Sequence, residues 1–489
     1  MAVDSRDTGE ACGADCRSDR HRGAYRQKGR SVRLLLAASS FVLGGLLPHA
    51  LHAETLTEAL VRAYQTNPTL DAQRANQRAT DEEVPKALSG WRPVITTGAS
   101  YGHLDNTTRA RTQVGKVTSH YTTDPGQFQI NLGQPIFNGF QTVNSTRQAE
   151  ATVMAGRGQL AAVEQSVLLQ AIQAYMNVIR DRRILDLRRA NVQVLEEELR
   201  STRARFEVGD NTRTDVAQAE SRLAQSRSAL TSAEAALAIS VGTYIQVIGQ
   251  APGKLVFPPA ADRLLPKTID AAIQIAELNN PNVIASEFSE KAQGFAVEVQ
   301  KGNLLPSASL NANYTKSFDP SPSTIWNESF SITGQVSVPI YQGGAEYASV
   351  RQAKQLRNQR QVEIVETRRS VREAVVRAWN QLVAARETVK SAQEQVRAQT
   401  LAYQGVKLEA EAGTRTTLDV LNAEQELVSA RVAVVQAEVD AIVASYAVAA
   451  AIGKLTATDL GLPVATYDPR VYYDKVRNKW FGLDTPSPQ

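Results

Sequence analysis

Apolar and polar side chains alternate along two stretches in the second half of the chain, 307–315 and 329–341. Their polar positions are mostly Ser, Asn, Thr and Gln. The stretches 95–101 and 128–132 of the first half show the same alternation more weakly. A period of two over about ten residues indicates strands with two different faces, as a transmembrane β-strand requires. A half-buried sheet of a soluble domain gives the same pattern, so alternation alone leaves both structures open.

Two details favour membrane strands. The polar positions carry small uncharged side chains that suit a water-filled lumen. Aromatic residues also cluster near the strand ends, as in the interfacial girdles of membrane barrels. One cluster contains Trp91, Phe137 and Tyr341, and the other contains Tyr101, Tyr314, Phe318 and Trp326.

Two long segments, 139–206 and 343–412, contain no proline and predict helices of roughly 100 Å each. Each is followed by a turn and a second helix that runs to Gly249 or Gly453. Apolar residues in the second half recur at alternating steps of four and three, which is coiled-coil spacing. The two seams are Val371, Val375, Ala378, Leu382, Ala385, Val389, Ala392 and Val396, and Leu427, Ala430, Val434, Ala437, Ala441, Ala444 and Val448.

The chain contains an internal duplication. Asn67-Pro68 recurs as Asn280-Pro281, an offset of 213 residues. From 135–139 onward the offset is 204, because Pro-Ile-Phe-Asn-Gly matches Pro-Ile-Tyr-Gln-Gly at 339–343. The first unit is therefore nine residues longer than the second in this region, and the extra residues fall within 104–126. This range is predicted to be a loop whose length differs between the units. Each unit therefore predicts helix, strand, loop, strand, long helix, turn and long helix.

The first 53 residues are predicted to be a secretory signal peptide. Basic residues precede an apolar run, 34–47, and Ala-Leu-His-Ala at 50–53 suits signal peptidase. A membrane anchor is the alternative, but the run is shorter than the ~20 residues that span a bilayer. Cleavage would remove both cysteines, Cys12 and Cys16, and +3 of the net charge of +4. The near-neutral, thiol-free remainder gives no support to a nucleic-acid partner, a disulfide or a cysteine nucleophile.

Four membrane strands cannot close a barrel, and their open edges would leave backbone groups unsatisfied in lipid. Two copies would give eight strands, whose interior side chains normally fill, and three would give twelve strands with a lumen. The predicted fold class is therefore mainly α with β. It consists of a duplicated unit, four strands contributing to a trimeric twelve-stranded transmembrane β-barrel, and long antiparallel coiled-coil helices forming an α-barrel.

The predicted segments follow the duplication. In chain order they are the signal peptide (1–53), the first-repeat N-terminal helix (54–93), strand pair 1 with its loop (94–137), the first long helical hairpin (139–250), the second-repeat N-terminal helix (268–304), strand pair 2 with its loop (307–341), the second long helical hairpin (343–454) and a C-terminal tail (455–489).

This combination resembles the TolC family of outer-membrane factors, which serve tripartite efflux pumps and type I secretion systems. The resemblance covers about 54–460 and rests on the duplication together with two turn motifs. The motifs are Val-Gly-Asp-Asn-Thr-Arg-Thr-Asp-Val at 208–216 and Ala-Gly-Thr-Arg-Thr-Thr-Leu-Asp-Val-Leu-Asn-Ala at 412–423. The resemblance implies a homotrimer in outer-membrane lipid, with its helical part in the periplasm, that exports drugs, proteins or both.

The resemblance also implies partners and site residues. A periplasmic adaptor protein and an inner-membrane pump or ABC transporter would dock at the tip turns, whose residues are Gly209, Asp210, Gly413 and Thr414. At rest the family closes this tip, and the matching positions assign a latch to Asp215 and Arg415 and a selectivity ring to Asp419 and Asn422. Asn422 replaces a second Asp of the family, and Ala410 replaces a Tyr of its closing network. We therefore expect a less acidic ring and a latch with one bond fewer.

Plainer roles are open for the same residues. The sequences 212–215 and 416–419 have Thr-x-x-Asp spacing at a helix start, which is capping-box spacing. An acid in the first turn also interacts favourably with the helix dipole. Capping needs no gate, although the two roles are compatible. The alternative to a latch role for Arg415 is that its side chain is simply solvated at the surface.

No residue pattern points to catalysis, a metal or a cofactor. Three of the five histidines lie in the signal region, and His103 and His120 lie in or near the first loop without metal-ligand spacing. The sequence has no Gly-rich phosphate loop after a strand and no serine elbow. A periplasmic adaptor is the competing prediction, but it implies one helical hairpin rather than two. The sequence thus predicts a passive channel rather than an enzyme.

Overall fold

The computed structural model describes residues 54–486. The predicted signal peptide, with its cleavage motif and both cysteines, lies outside the described residues. The elements of the first half are α1 (Leu56–Thr66), α2 (Pro68–Asp81), α3 (Glu83–Leu88), β1 (Val94–Tyr101), β2 (Leu104–Thr112), β3 (Gly115–Thr123), β4 (Gly126–Asn138), α4 (Gln141–Glu207) and α5 (Arg213–Ile248). Those of the second half are α6 (Ile269–Asn279), α7 (Pro281–Gly302), β5 (Ser307–Ser321), β6 (Thr324–Ser337), α8 (Ala345–Glu411), α9 (Thr417–Ala451) and α10 (Pro469–Val476).

An Asn-Pro pair divides the N-terminal segment of each half, where the sequence predicts one helix. Asn67 and Asn280 end one helix and cap the next, with proline at the start of the new helix. In both halves the side-chain oxygen accepts from an N–H of the new helix, and the side-chain amide donates to a carbonyl near the end of the last long helix. The repeated asparagine therefore joins the N-terminal helices to the hairpin of the same half.

The four long strands form one antiparallel sheet in the order β1-β4-β5-β6. Residues directly opposite one another share a face, so the register sorts the side chains. Neighbouring rows alternate between apolar and polar residues, and two such rows are Ile95, Leu132, Ala312, Ile332 and Thr96, Asn131, Asn313, Ser331. The sheet has one polar face and one mostly apolar face, which the ion pair of Lys316 and Glu328 interrupts near the far end. This confirms the prediction from alternation.

The register confirms one aromatic row and corrects two placements. Tyr101, Phe318 and Trp326 lie at one level, at the end of the sheet remote from the helices. The sequence predicts Tyr314 near this end, but Tyr314 pairs with Phe330 in mid-strand. It also predicts that the last strand reaches Tyr341, yet β6 ends at Ser337.

Proline explains where the last strand stops. Pro339 follows β6 and has no N–H to donate to a neighbouring strand. Its counterpart in the first half, Pro135, lies beside an irregularity in register before Phe137, and there β4 continues to Asn138. The same motif therefore ends one strand and bends the other.

The segment between β1 and β4 is a second, two-stranded sheet, where the sequence predicts a loop. β2 and β3 pair antiparallel, from Leu104 opposite Thr123 to Thr112 opposite Gly115. Threonine-rich sequence favours strands, but this hairpin has no continuous apolar face for a period of two to reveal. It accounts for the extra length of the first unit.

The long helices pair as two antiparallel hairpins. α4 and α8 are each 67 residues long. Predicted seam positions are buried on both helices of the second hairpin, among them Val371, Val375, Ala378, Leu382, Leu427, Ala430, Ala437 and Val448. Within the described residues, α9 alone is long and apolar enough to cross a membrane, judged by length and composition. It packs instead against α8 and α4, and Arg183 of α4 donates to its Glu438 at 3.0 Å.

Candidate gate at the helix turns

Each helical hairpin reverses direction at a glycine with positive φ. Gly209 follows α4 with φ +87°, and Gly413 follows α8 with φ +80°. In both turns the next residue donates its N–H to the carbonyl five residues back at 2.9 Å, Asp210 to Arg205 and Thr414 to Glu409. Glycine suits these positions because it adopts the left-handed region without strain. The predicted docking residues Gly209, Asp210, Gly413 and Thr414 are exposed in the single chain.

The two acids predicted at the gate both cap helices. Asp215 accepts from the N–H of Thr212 at 2.9 Å and donates its own N–H to Thr212 Oγ1 at 3.2 Å. Asp419 and Thr416 repeat these bonds at 3.0 Å and 3.2 Å. Both are capping boxes, so the capping role is confirmed. The N–H and hydroxyl of Thr416 hold the pKa of Asp419 below its usual range.

Arg415, in the turn between α8 and α9, bonds to the last turn of α8. Its Nε donates to Glu409 Oε2 at 2.9 Å. Within the described chain no bond joins Arg415 to Asp215, whose carboxylate faces Thr212. The single chain therefore does not bring the predicted latch pair together.

Asn422, the second predicted ring residue, has a partner on the other hairpin. Arg222 of α5 donates from Nη2 to Asn422 Oδ1 at 2.6 Å. Arg222 is not among the residues predicted from the sequence, although it lies seven residues after Asp215. Seven residues are about two helical turns, so both residues are on nearly the same face of α5. The bond ties α5 to α9 close to the turns.

An apolar cluster joins the same two hairpins. Its buried members are Val192, Leu195 and Leu199 of α4, Ala219 and Leu223 of α5, and Leu421 of α9. Leu421 is only 1% exposed although its helix belongs to the other hairpin. Separating the hairpins at this level would expose Leu421 to water, which opposes the movement.

A buried carboxyl lies one turn beyond Leu421. Glu424 is 6% exposed. Burial, reinforced by repulsion from Glu198 of α4, raises the pKa of Glu424 to about 7, and Lys407 of α8 offsets part of the rise. Glu424 is not among the residues predicted from the sequence. Its position three residues before Leu427, in line with the apolar seam of α9, could have indicated that this acid is buried.

The family is decided by comparison with known sequences. The sequence model described as outer membrane efflux protein matches residues 59–250 and 272–454. One match falls in each half, and together they cover most of the chain. The chain belongs to the outer membrane efflux protein family.

Named members and a solved structure agree with this assignment to the outer membrane efflux protein family. The outer membrane efflux protein BepC of Brucella suis is 41% identical over 460 residues, which are 94% of this chain and 98% of BepC. The outer membrane protein TolC of Vibrio cholerae is 26% identical over 435 residues, which are 86% of this chain and 97% of TolC. The crystal structure of the Campylobacter jejuni CmeC outer membrane channel has a TM-score of 0.72 at 17% identity, covering 86% of this chain and 89% of that one.

The outer membrane efflux protein family establishes the location and general role of this chain. The protein is an outer-membrane channel of TolC-like fold, with its long helices in the periplasm. It is an exit duct for efflux or secretion and not an enzyme. Among residues 54–486, no group of three or more His, Cys, Asp and Glu side chains is placed to hold a metal ion.

Proposed function

We propose that three copies of this chain close one continuous duct through the outer membrane. The observation that carries the proposal is the four-stranded sheet with one mostly apolar and one polar face, whose outer strands β1 and β6 each have one unpaired edge. An unpaired edge in lipid leaves N–H and C=O groups without partners, so the sheet must join further copies. Three copies give twelve strands, the smallest number of these units that leaves a lumen.

In this assembly the apolar face contacts lipid and the polar face lines the lumen. The two helical hairpins of each chain continue the duct into the periplasm. A periplasmic adaptor and an inner-membrane pump or ABC transporter would dock at the exposed turns around Gly209 and Gly413. Drug efflux is the favoured cargo class because the Brucella relative is named an efflux protein, and protein secretion through the same duct is the second candidate.

The turns form the gate in this proposal. Arg415 and Asp215 are not bonded within one chain, so their latch would join neighbouring copies around the ring. Asp215 would then keep its cap and also accept from Arg415, which would have to leave Glu409. Asp419 and Asn422 would face the narrowest part of the duct as the selectivity ring.

The test is the mass and conductance of the purified protein. Detergent-extracted protein should have the mass of a trimer by light scattering or native mass spectrometry, and it should form channels in planar bilayers. A chain that is soluble and monomeric without detergent, with no channel activity, would contradict the duct and favour a periplasmic adaptor. Loss of drug resistance on gene deletion would support efflux, and loss of a secreted protein alone would support secretion.

A further inference from the structure

The bond between Arg222 and Asn422 places a guanidinium beside the second ring position. Arg222 Nη2 donates to Asn422 Oδ1 at 2.6 Å, and Nη1 donates to Gln225 Oε1 at 3.1 Å. Both acceptors are neutral amide oxygens. Within residues 54–486 Arg222 forms no ion pair with a carboxylate, so its positive charge is not compensated by a direct partner.

The acid of the ring is arranged differently. Asp419 lies three residues before Asn422, about one turn away on α9. Its Oδ2 accepts from the N–H of Thr416 at 3.0 Å and from the hydroxyl of Thr416 at 2.8 Å. The carboxylate is thus held against the helix start, while the guanidinium lies at the next turn.

We propose that Arg222 is a specificity-determining residue of the duct, because it balances the negative charge of Asp419 at the gate. This inference rests on the proposed trimer with Asp419 and Asn422 at its narrowest part. In that trimer the three Arg222 guanidinium groups lie about one turn from the three Asp419 carboxylates and offset their charge, in addition to Arg415, which acts on Asp419 from the turn. A narrow ring selects ions by its net charge and local field. The native gate therefore concentrates multivalent cations less than a ring of Asp419 without Arg222 would, and it admits neutral and anionic solutes.

A purely structural role for Arg222 makes a different prediction. If the arginine only ties α5 to α9, its replacement changes stability or the open fraction but leaves the ratio of cation to anion permeability unaltered. Arg222→Gln keeps a side-chain N–H that can donate to Asn422 and removes the charge. Arg222→Lys keeps the charge and loses the planar guanidinium. These two variants separate charge from bonding.

The experiment measures reversal potentials in a KCl gradient and block by hexaamminecobalt(III), using full-length trimers in planar bilayers. Arg222→Gln should shift the reversal potential towards cation selectivity and strengthen the trivalent block roughly tenfold, as expected for losing three nearby positive charges. Arg222→Lys should keep the native selectivity. The control is Arg227→Gln, which removes the same charge from α5 at a residue that pairs with Glu196 at 2.7 Å.

A second pair of variants tests the position of the charge. Asn422→Asp alone should strengthen the block about as much as Arg222→Gln, since each change makes the ring more negative by three charges. Asn422→Asp combined with Arg222→Gln should give the strongest block of the series. Native selectivity and block in Arg222→Gln, in a trimer that conducts, would overturn the role of Arg222 and leave the duct intact. A native trimer that conducts no ions would instead overturn the proposed function.

Discussion

The side-chain amide of Asn67 lies 2.9 Å from the carbonyl oxygen of Val247, although 180 residues separate them in the chain. Asn280 makes the equivalent bond to Ala451 at 3.0 Å. Each asparagine also caps the helix that begins at the following proline. One side chain therefore fixes a helix start and attaches it to the end of a long hairpin, which explains why the pair recurs in both halves.

Asn67→Ala and Asn280→Ala should each lower stability by about 1–3 kcal/mol, because a cap and a partly buried hydrogen bond are lost together. Thermal unfolding of detergent-solubilised protein measures the change. Asn76→Ala, at an exposed position of α2, is the matched control and should have little effect. Equal unfolding temperatures for all three variants would contradict the joining role.

Gly139 and Gly343 provide a matched comparison at the two strand-to-helix junctions. Both have positive φ, +62° and +71°. A Cβ at Gly139 would collide with the backbone carbonyl of Gly302, whereas a Cβ at Gly343 meets no atom within 4 Å. Gly343→Ala should therefore cost only backbone strain, about 1–2 kcal/mol, and Gly139→Ala should cost clearly more. The yield of folded protein and the unfolding temperature measure the effect of each variant. Equal decreases for Gly139→Ala and Gly343→Ala would contradict the difference in packing.

Asp215 can be tested separately as a cap and as a gate charge. Asp215→Asn keeps an oxygen that can accept from the N–H of Thr212 and removes the charge, while Asp215→Ala removes both and should cost about 1 kcal/mol for the lost hydrogen bond. If Asp215 bonds Arg415 of a neighbouring copy, then Asp215→Asn and Arg415→Ala should both raise single-channel conductance.

Glu409 offers a control for this latch. Glu409→Gln weakens the bond that holds Arg415 within its own chain, so it should favour a cross-chain latch and leave conductance at or below the native value. Native conductance in both Asp215→Asn and Arg415→Ala would leave capping and surface solvation as the roles of these residues.

Asp419→Asn should weaken block by multivalent cations, because a trimer loses three carboxylates from the ring. The side-chain oxygen of asparagine can still accept from the N–H of Thr416, so the helix start should persist. Bilayer recordings with increasing hexaamminecobalt(III) measure the effect. An unchanged blocking concentration would remove Asp419 from the ion path.

Glu424 predicts a pH-dependent tip. Its pKa is raised to about 7, so the packed tip binds a proton more tightly than an exposed carboxyl does. The packed arrangement is therefore most stable at acidic pH and loses stability as pH rises towards and through 7, by about 3 kcal/mol at most. Protection factors for hydrogen exchange near Leu421, which correct for the intrinsic rise of amide exchange with pH, should be lower at pH 8 than at pH 5.5. Glu424→Gln should remove this dependence, and a pH dependence that persists in that variant would contradict its origin in Glu424.

Much of this protein is determined by local rules that leave a trace in the sequence. The Asn-Pro and glycine positions repeat because caps and left-handed turns require particular residues wherever they occur. The alternation in β5 and β6 reveals two faces because successive side chains of a strand point in opposite directions. The capping boxes at Asp215 and Asp419 could be predicted from the Thr-x-x-Asp spacing alone, because a capping box is formed by residues close together in the chain.

Contacts between distant segments required the tertiary structure. Arg222 and Asn422 are 200 residues apart in the chain, and their bond joins helices of different hairpins. The duplication does not relate the two residues, because equivalent positions in this region are 204 residues apart. The burial of Glu424 depends on α4 packing across α9, and no pattern within α9 fixes which neighbour covers that position. The mid-strand position of Tyr314 follows from its pairing with Phe330 in the sheet. β6 ends at Ser337 because Pro339 has no N–H to donate to a neighbouring strand. The sequence therefore determined the repeated unit and its caps, while the packing of one hairpin against the other decided the chemistry at the tip.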